Sequence, residues 1–445
     1  MRLVLDNMEY IYLNDIGRGA FAKVDKVASS DAKEFARKTF DPLENILTNV
    51  GEESLKRRFT REVEYQKRII HPNVMSITED FLEEEPPYFI MPLAICSLKD
   101  ELYDNGGQCN EPKKVLFDIL AGLEAIHGNS YHHRDLKPAN ILKLKNDDGE
   151  INYVISDFGL ISGINGESST LTGSNAQGGT ENYAAPELIR NMKRATFSAD
   201  IYSFGAILHD IFGLGINRIP YTELSLSGPI GKIIEKCTKR LPLRRYSSVS
   251  ELREDLYNVL NTADISYTSN QEEEVVSILE TKDELTDEEW DKVFLLLEEG
   301  TARNIFNAIS ETHIVKLSKE APELLSALGL DFCEYIQSRK FDFDQCDILA
   351  SKAEKFYELG NIGLQAQVVI ALLKLGTSHN RWYVEHKVIK LASKSISETL
   401  AERIKTEIEV SGINFVSQMK HLEKSIGVDI ERIHPILIEF LNGNE

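Results

Sequence analysis

Acidic, basic and amide side chains are concentrated in two short stretches that follow one another closely in the sequence. The first stretch is YHHRDLKPANIL at residues 131–142, and the second is ISDFGL at residues 155–160. Together they contain two carboxylates, an amide and an ammonium group: Asp135, Asp157, Asn140 and Lys137. Carboxylate and amide oxygens are ligands that Mg²⁺ prefers, and an ammonium group can neutralise the charge of a phosphate. Each motif could occur by chance, so its meaning depends on the rest of the chain.

Taken together and in this order, the two stretches resemble the catalytic loop and the metal-binding loop of the eukaryotic-type protein kinases. The resemblance covers about residues 8–262 and includes FARK, which ends at Lys38 like the family's third-strand lysine motif, and YAAPE, which closes the activation segment. SADIYSFGAIL resembles the buried helix of the family's large lobe. Arg245 resembles the late arginine that holds the helix carrying Glu187. The resemblance implies an α+β, bilobal protein kinase fold.

It also implies transfer of the γ-phosphoryl group of ATP to a protein hydroxyl, a reaction in which the protein mainly positions groups and neutralises phosphate charge. Asp135 would accept or orient the proton of the substrate hydroxyl, and Lys137 would stabilise the transferring phosphoryl group. Asn140 and Asp157 would hold two Mg²⁺ ions, which take hard oxygen ligands. Lys38 would contact the α- and β-phosphates.

Lys38 needs a carboxylate partner that holds its ammonium group in place. In FTREVEYQKRIIHPNV, the family's helix glutamate stands ten residues before the proline of HPN, Pro72, and this spacing selects Glu62 over the nearby Glu64. Gln66 stands where the family usually has an apolar side chain. A glutamine packs less favourably there unless its amide finds partners, so we hypothesise that the active arrangement is only marginally favoured.

The stretch GRGAFAKV at residues 17–24 contains two glycines. On their own, two glycines near a turn mark a β-hairpin more often than a ligand loop. With the other motifs in place, the stretch resembles the loop that covers ATP, in which Gly17 and Gly19 give backbone freedom and Phe21 lies at the tip. Ala22 replaces the family's third glycine, so we expect a stiffer loop that still binds the nucleotide.

The adenine ring is expected to lie against Val24 and Ala36 and to meet the hinge after Met91, the gatekeeper. Pro92 has no backbone N–H, but the family uses the carbonyl group at this position, and the N–H of Ala94 would donate to the adenine. The residues expected to contact the nucleotide are Ile16, Gly17, Gly19, Phe21, Val24, Ala36, Lys38, Met91, Pro92, Ala94 and Leu142.

Two features indicate serine/threonine substrates. Lys137 follows the aspartate by two residues, as in serine/threonine kinases, and Thr180 matches the residue that hydrogen-bonds the catalytic aspartate and lysine in that class. Arg134 directly precedes the aspartate, and in kinases with this arginine the activation loop is often ordered by its own phosphorylation. Arg61 is a second candidate ligand for such a phosphate. The candidate acceptors are Ser168, Ser169, Thr170, Thr172 and Ser174, although a polar loop without such a role is the competing interpretation.

The bulk composition argues against nucleic-acid binding and against membrane insertion. The chain of 445 residues has 50 Lys and Arg against 71 Asp and Glu, a net charge of −21, which opposes binding to phosphate backbones. The sequence has no run of about 18 apolar residues and no pattern typical of a signal peptide, so we expect a cytoplasmic protein. Its five cysteines form no CxxC pair, which is typical of reduced thiols.

Apolar periodicity lapses at ADISYTSNQEEEVV, residues 263–276, where we place a linker between two domains. The kinase-like domain would occupy residues 1–262, with lobes at about 1–92 and 93–262, and an all-α domain would occupy residues 277–445. From the linker onward the chain has 33 acidic and 19 basic residues, which gives −14 of the total charge of −21.

Apolar residues in the second domain recur at helical spacing, which predicts packed amphipathic helices. Trp290, Val293, Phe294 and Leu297 form one such stripe. Short turn signals between the helices suggest stacking as in helical-repeat arrays, without a strict sequence period. The segment GTSHNRWYVEH, with His379, Arg381 and Trp382, is either a recognition spot or a loop with a capping tryptophan.

Two classes of function fit these observations. In the first, an active serine/threonine kinase acts on protein substrates, and its acidic helical domain senses, recruits or restrains through a protein partner. In the second, a pseudokinase scaffold acts through its helical interaction domain. The first is favoured because the catalytic set is complete: Lys38, Glu62, Asp135, Asn140 and Asp157. The sequence predicts no oligomeric state.

Overall fold

The computed structural model divides the chain into two compact units, residues 1–256 and 257–445. The structure describes residues 10–146, 149–159, 162–163, 180–189, 196–213, 218–261, 267–298, 300, 302–427 and 430–443.

A five-stranded antiparallel sheet opens the first unit, with strand order β1-β2-β3-β5-β4. Its strands are β1 (Ile11–Arg18), β2 (Ala22–Ala28), β3 (Glu34–Phe40), β4 (Glu79–Phe81) and β5 (Tyr88–Pro92). Successive side chains of a strand point to opposite faces, so Ala36 and Lys38 share one face of β3. The register aligns Lys38 with Val24 on β2 and with Phe89 on β5.

Two helices, α1 (Glu44–Val50) and α2 (Glu52–Arg68), lie between β3 and β4. The buried residues of α2 recur at helical spacing and define one face: Leu55, Phe59, Glu62, Val63 and Gln66. The ring of Phe59 contacts those of Phe40 and Phe89, with centroids 5.8 and 5.5 Å apart, and this packing holds α2 on the sheet. Glu62 is therefore carried into the interior by its apolar neighbours, whereas Glu64 lies on the exposed face.

The rest of the first unit is mainly helical, with short strands. The helices are α3 (Leu98–Asp104), α4 (Pro112–Gly128), α5 (Phe197–Phe212), α6 (Gly228–Cys237) and α7 (Val249–Leu260). The strands are β6 (Cys96–Ser97), β7 (Tyr131–His132), β8 (Ile141–Lys145), β9 (Ile151–Ile155) and β10 (Ser162–Gly163). A Cβ atom at Gly122 of α4 would lie 2.5 Å from the carbonyl oxygen of Asn73, so only glycine permits this close approach.

The hairpin of β8 and β9 brings two loops together. Its register pairs Ile141 with Ile155, the first residue of one strand with the last of the other. The N–H of Ser156 then donates to the carbonyl of Asn140 over 2.8 Å. Because of this register, the residues just before β8 lie beside those just after β9.

The described part of the second unit consists of helices joined by short connections. They are α8 (Asn270–Thr281), α9 (Asp287–Glu298), α10 (Ala302–Ala308), α11 (Glu311–Glu320), α12 (Pro322–Ser338), α13 (Phe343–Leu359), α14 (Ile362–His379), α15 (Trp382–Leu391), α16 (Glu398–Ser411), α17 (Phe415–Ile426) and α18 (Pro435–Gly443). From α11 to α15 each helix contacts the next, and α12, α14 and α16 also contact one another in turn. This layered packing around α14 is typical of stacked helical arrays.

The α+β first unit and the helical second unit confirm the predicted fold class. The expected linker at residues 263–276 is helical from Asn270 onward, because the Ser269 side chain accepts from the N–H of Glu272 and caps α8. The S-x-x-E pattern is the local signal for that start. No helix among the described residues is long and apolar enough to cross a membrane.

Candidate active site

Lys38 lies between two carboxylates that come from different elements. Its Nζ donates to Oε1 of Glu62 on α2 over 2.6 Å and to Oδ1 of Asp157, just after β9, over 3.0 Å. The Lys38 side chain is 14% exposed and that of Glu62 is 6% exposed. The structure thus brings the sheet, α2 and the loop after β9 together at one ammonium group, and it places Glu62 and not Glu64 there.

The charges of Lys38 and Asp157 stabilise each other. Burial by itself lowers the pKa of Lys38, but the carboxylates of Asp157 and Glu62 outweigh burial and raise the pKa above its ordinary value. The positive charge of Lys38 in turn holds the pKa of Asp157 well below its usual range. At neutral pH Lys38 is therefore cationic and Asp157 anionic.

The catalytic-loop residues form a second cluster. Nζ of Lys137 donates to Oδ2 of Asp135 over 2.7 Å. Nδ2 of Asn140 donates to the carbonyl of Asp135 over 2.8 Å and to its Oδ2 over 3.1 Å. Burial raises the pKa of Asp135, an effect that Lys137 opposes and the carboxylate of Asp157 increases. The two clusters are therefore electrostatically coupled.

Asp200, at the start of α5, positions the backbone of the catalytic loop. Its fully buried carboxylate accepts from the N–H groups of His133 and Arg134 over 2.9 and 2.7 Å and lies 2.9 Å from Nε2 of His127. These contacts support a strained turn, since Arg134 has a φ of +69°. The ring of His133 meets that of Phe158 edge-on, with centroids 5.3 Å apart. The motif SADIYSFGAIL predicted this helix, but the sequence indicated no role for Asp200.

Most residues predicted to contact the nucleotide come together under the β1–β2 hairpin. Gly19 donates to the carbonyl of Ala22 over 2.8 Å at the tip of the hairpin, and Gly17 pairs with Val24. One apolar cluster contains five of the predicted side chains together with Ala22: Phe21, Val24, Ala36, Met91 and Leu142. Six predicted residues lie outside this cluster: Gly17 and Gly19 in the hairpin, Lys38 on β3, Ile16, half exposed on β1, Pro92, at the end of β5, and Ala94, which is partly buried.

Gln66 has the partner that its burial requires. The side chain is 3% exposed, and its Nε2 donates to the carbonyl oxygen of Met75 over 2.7 Å. This hydrogen bond removes the physical reason for expecting a poorly favoured active arrangement. The polar residue is instead a fixed contact between α2 and the segment before β4.

The end of the activation segment is held by an ion pair. Arg245 donates through Nη1 and Nη2 to the two carboxylate oxygens of Glu187 over 2.7 and 2.8 Å, and through Nη1 to the carbonyl of Ser198. Thr180 begins the turn Thr180–Asn182. The candidate phosphorylation sites Ser168, Ser169, Thr170, Thr172 and Ser174 lie outside the described residues.

Side chains of the segment GTSHNRWYVEH contact other residues of the second unit. The guanidinium group of Arg381 donates to both carboxylate oxygens of the buried Asp347, over 2.7 and 2.6 Å. Nε2 of His379 accepts from the N–H of Phe341 over 3.0 Å. Trp382 is the first residue of α15. These contacts favour a structural loop over a recognition spot.

The comparisons with known proteins agree with this geometry. The family model described as protein kinase domain matches residues 10–262, more than half of the chain. The protein therefore belongs to the protein kinase family, and the resemblance seen in its motifs is confirmed.

Its relatives include kinases from bacteria, plants and an amoeba. A serine/threonine-protein kinase, PrkC, of Bacillus subtilis is 29% identical over 251 residues, which is 50% of this chain and 37% of the relative. CBL-interacting protein kinase 8 of Oryza sativa is 29% identical over 49% of this chain and 46% of the relative. A probable myosin light chain kinase of Dictyostelium discoideum is 30% identical over 45% of this chain and 49% of the relative. The chain thus spans about half, or less, of the length of these relatives.

Proposed function

We propose that this protein is an ATP-dependent serine/threonine protein kinase, which transfers the γ-phosphoryl group of ATP to serine or threonine hydroxyls of proteins. The observation that carries the proposal is the position of Lys38, whose Nζ lies 2.6 Å from Glu62 and 3.0 Å from Asp157. The two carboxylates fix the ammonium group in a buried cleft. A charge that is fixed in advance stabilises phosphate without reorganisation during the reaction.

Asp135 accepts or orients the proton of the incoming hydroxyl group. Among the described residues, the hydrogen bonds to its carboxylate come from Lys137 and Asn140 and are made at Oδ2, so Oδ1 is the atom proposed to meet the substrate. The nearby ammonium group of Lys137 neutralises negative charge on the transferring phosphoryl group. Thr180 is assigned to the recognition of serine and threonine substrates because it stands at the class-specific position of the motif.

Asp157 and Asn140 are the residues that would hold Mg²⁺. Because Nδ2 of Asn140 donates to Asp135, the amide oxygen remains for a cation. The Asp157 side chain is 46% exposed and anionic beside Lys38, so one of its carboxylate oxygens can also be a ligand of the cation. These hard oxygen donors fit Mg²⁺, which when bound would neutralise charge on the phosphate oxygens.

We infer further that the activation segment is autophosphorylated. Arg134 is buried, and its Nε has no hydrogen-bond acceptor among the described residues. A phosphorylated side chain of the activation segment would supply the anionic oxygens that this guanidinium group lacks. Mass spectrometry of the full chain should then find phosphate between Ser168 and Ser174 in the wild type and not in Asp135→Ala. Unmodified wild-type protein would contradict this part of the proposal.

The helical unit is proposed to recruit protein substrates or partners by charge. The chain from residue 263 onward carries −14 of the net −21, which favours basic partner surfaces, with an attraction that salt screens. The KM for a basic protein substrate should therefore rise with ionic strength in the wild type. Replacing the exposed acids Glu402 and Glu409 by lysine should reduce that salt dependence, and an unchanged dependence would argue against recruitment by this unit.

The central experiment measures transfer of the labelled γ-phosphate of ATP to a basic protein substrate by the full chain with Mg²⁺. Asp135→Ala should lose transfer, because the hydroxyl proton then has no acceptor. Asp104→Ala, at an exposed aspartate ending α3, is the matched control and should transfer as the wild type does. Equal incorporation in wild type and Asp135→Ala would refute the proposed function and leave the scaffold interpretation.

A further inference from the structure

Arg58 joins three elements of the cleft. It lies on α2 four residues before Glu62, so both side chains lie on the same side of the helix. Its Nε donates to the carbonyl oxygen of Gly159, in the loop after β9, over 2.6 Å. Its guanidinium carbon lies 4.6 Å from the ring centroid of Phe21, at the tip of the glycine-rich loop. No motif in the sequence singles out this arginine.

Two of the donor groups of Arg58 are buried without an acceptor. Nη1 and Nη2 are both inaccessible to solvent and make no hydrogen bond to any described residue. The carboxylates of Glu62, Asp157 and Asp135 attract the charge electrostatically, but none of them accepts from these nitrogens. A buried cationic donor without an acceptor is costly, so the geometry points to a partner that the described residues do not supply.

The chemistry of the missing partner follows from the donor arrangement. A guanidinium group presents two parallel N–H groups in a plane, which matches two oxygens of a phosphate or carboxylate. The unsatisfied nitrogens lie between the tip of the glycine-rich loop and the loop that carries Asp157. In the proposed kinase reaction, this is the space between the loop covering the phosphates and the metal-binding carboxylate, where the end of the triphosphate must reach Asp135.

We propose that Arg58 binds the γ-phosphate of ATP through Nη1 and Nη2, and that it holds Phe21 over this phosphate by stacking. The inference rests on the proposed kinase function and adds a ligand contact from α2 to it. Because Arg58 and Glu62 share one helix, a displacement of α2 would remove the γ-phosphate contact and the Lys38 partner together.

The test compares ATP and ADP, which differ by the phosphate in question. Binding of each nucleotide with Mg²⁺ is measured by calorimetry on the full chain for wild type, Arg58→Ala and Arg58→Lys. Loss of hydrogen bonds to a charged group should weaken ATP binding by about tenfold to a hundredfold in Arg58→Ala, with ADP binding changed by less than about threefold. Arg58→Lys keeps the charge but loses the planar fork, so it should recover only part of the ATP affinity. Arg57→Ala, on the exposed side of the same helix, is the control and should bind both nucleotides as the wild type does.

Several outcomes would overturn the inference. Equal losses for ATP and ADP in Arg58→Ala would mean a structural role, and unchanged binding would mean no contact. If the effect disappeared after treatment of the protein with a phosphatase, the anion would be a phosphorylated residue of the chain and not the nucleotide. Thermal unfolding of each variant shows whether the variant is folded. If Arg58→Ala is unfolded, the ATP and ADP affinities of Arg58→Lys test the inference instead. If the wild-type protein bound ATP but transferred no phosphate, the proposed function would be refuted. The contact of Arg58 with the γ-phosphate would still be tested, because it is measured by nucleotide binding and not by phosphate transfer.

Discussion

Nζ of Lys38 lies 2.6 Å from Oε1 of Glu62, and this contact joins β3 to α2 inside the cleft. The carboxylate reaches the lysine because Phe59 and Val63 are buried on the same face of α2 and hold that face against the sheet. Lys38 is also bound to Asp157, 3.0 Å away. A change at Glu62 should therefore alter the position of the lysine without removing its charge.

Glu62→Gln keeps the shape of the side chain and removes its charge. We expect kcat/KM to fall by about tenfold to a hundredfold, because Lys38 loses a charge-assisted hydrogen bond and keeps only Asp157 as a partner among the described residues. Steady-state kinetics with ATP as the varied substrate measure the effect. Glu64→Gln, at an exposed position two residues further along the helix, should retain wild-type kcat/KM. Equal values for the two variants would contradict the assignment of Glu62.

Lys137→Met should move the acid limb of the pH–rate profile to higher pH. In the proposed mechanism Asp135 acts as a base only when it is deprotonated, so activity should be lost as the pH falls through its pKa. Burial already raises that pKa, and Lys137 opposes the effect. Without the ammonium group the pKa rises further, and the residual kcat/KM should fall off at a higher pH than in the wild type.

The measurement is kcat/KM between about pH 4 and pH 8, with a sensitive radiometric assay for the slow variant. The titration of ATP itself is common to both proteins and cancels in the comparison. Lys99→Met, exposed on α3, should leave the acid limb where it is. A limb that stays in place or moves to lower pH in Lys137→Met would be evidence against Asp135 as the base.

Gln66→Leu should destabilise the first unit by about 1–3 kcal/mol, because the buried carbonyl of Met75 loses its side-chain donor. Chemical denaturation measures the change in the free energy of unfolding, and hydrogen exchange of α2 peptides shows whether this helix loses protection. Glu64→Leu, on the exposed face, should change the free energy of unfolding by less than about 0.5 kcal/mol. A more stable and more active Gln66→Leu would restore the view that glutamine weakens the active arrangement.

Asp347→Ala should destabilise the second unit by about 3 kcal/mol. The bidentate contact of Arg381 with this buried carboxylate would be lost, and the cation would remain in a largely buried position. Hydrogen exchange should increase in peptides of α13 and α15. Glu334→Ala, at an exposed site on α12, is the control. Normal protection of both helices in Asp347→Ala would show that the ion pair contributes little.

The motifs of the first unit were predictable because their residues act within short segments. Asp135, Lys137 and Asn140 lie in one loop, where backbone and side-chain hydrogen bonds link residues two to five positions apart. Periodicity similarly predicted the helices of the second unit, because apolar spacing is a local property of the chain. The start of α8 was missed although its S-x-x-E capping pattern is also local.

The sequence by itself determined which residue types stand in the YHHRDLKPANIL and ISDFGL motifs, and that the second part is helical. Only the tertiary structure decided the contacts between distant segments: the hydrogen bond of Gln66 to Met75, the support of the catalytic loop by Asp200, and the position of Arg58 between Phe21 and Gly159. The physical reason is that a polar side chain is satisfied by whichever acceptor the packing brings within about 3 Å. For such contacts the partner depends on how α2, the sheet and the loop after β9 pack together, and no spacing in the sequence specifies it.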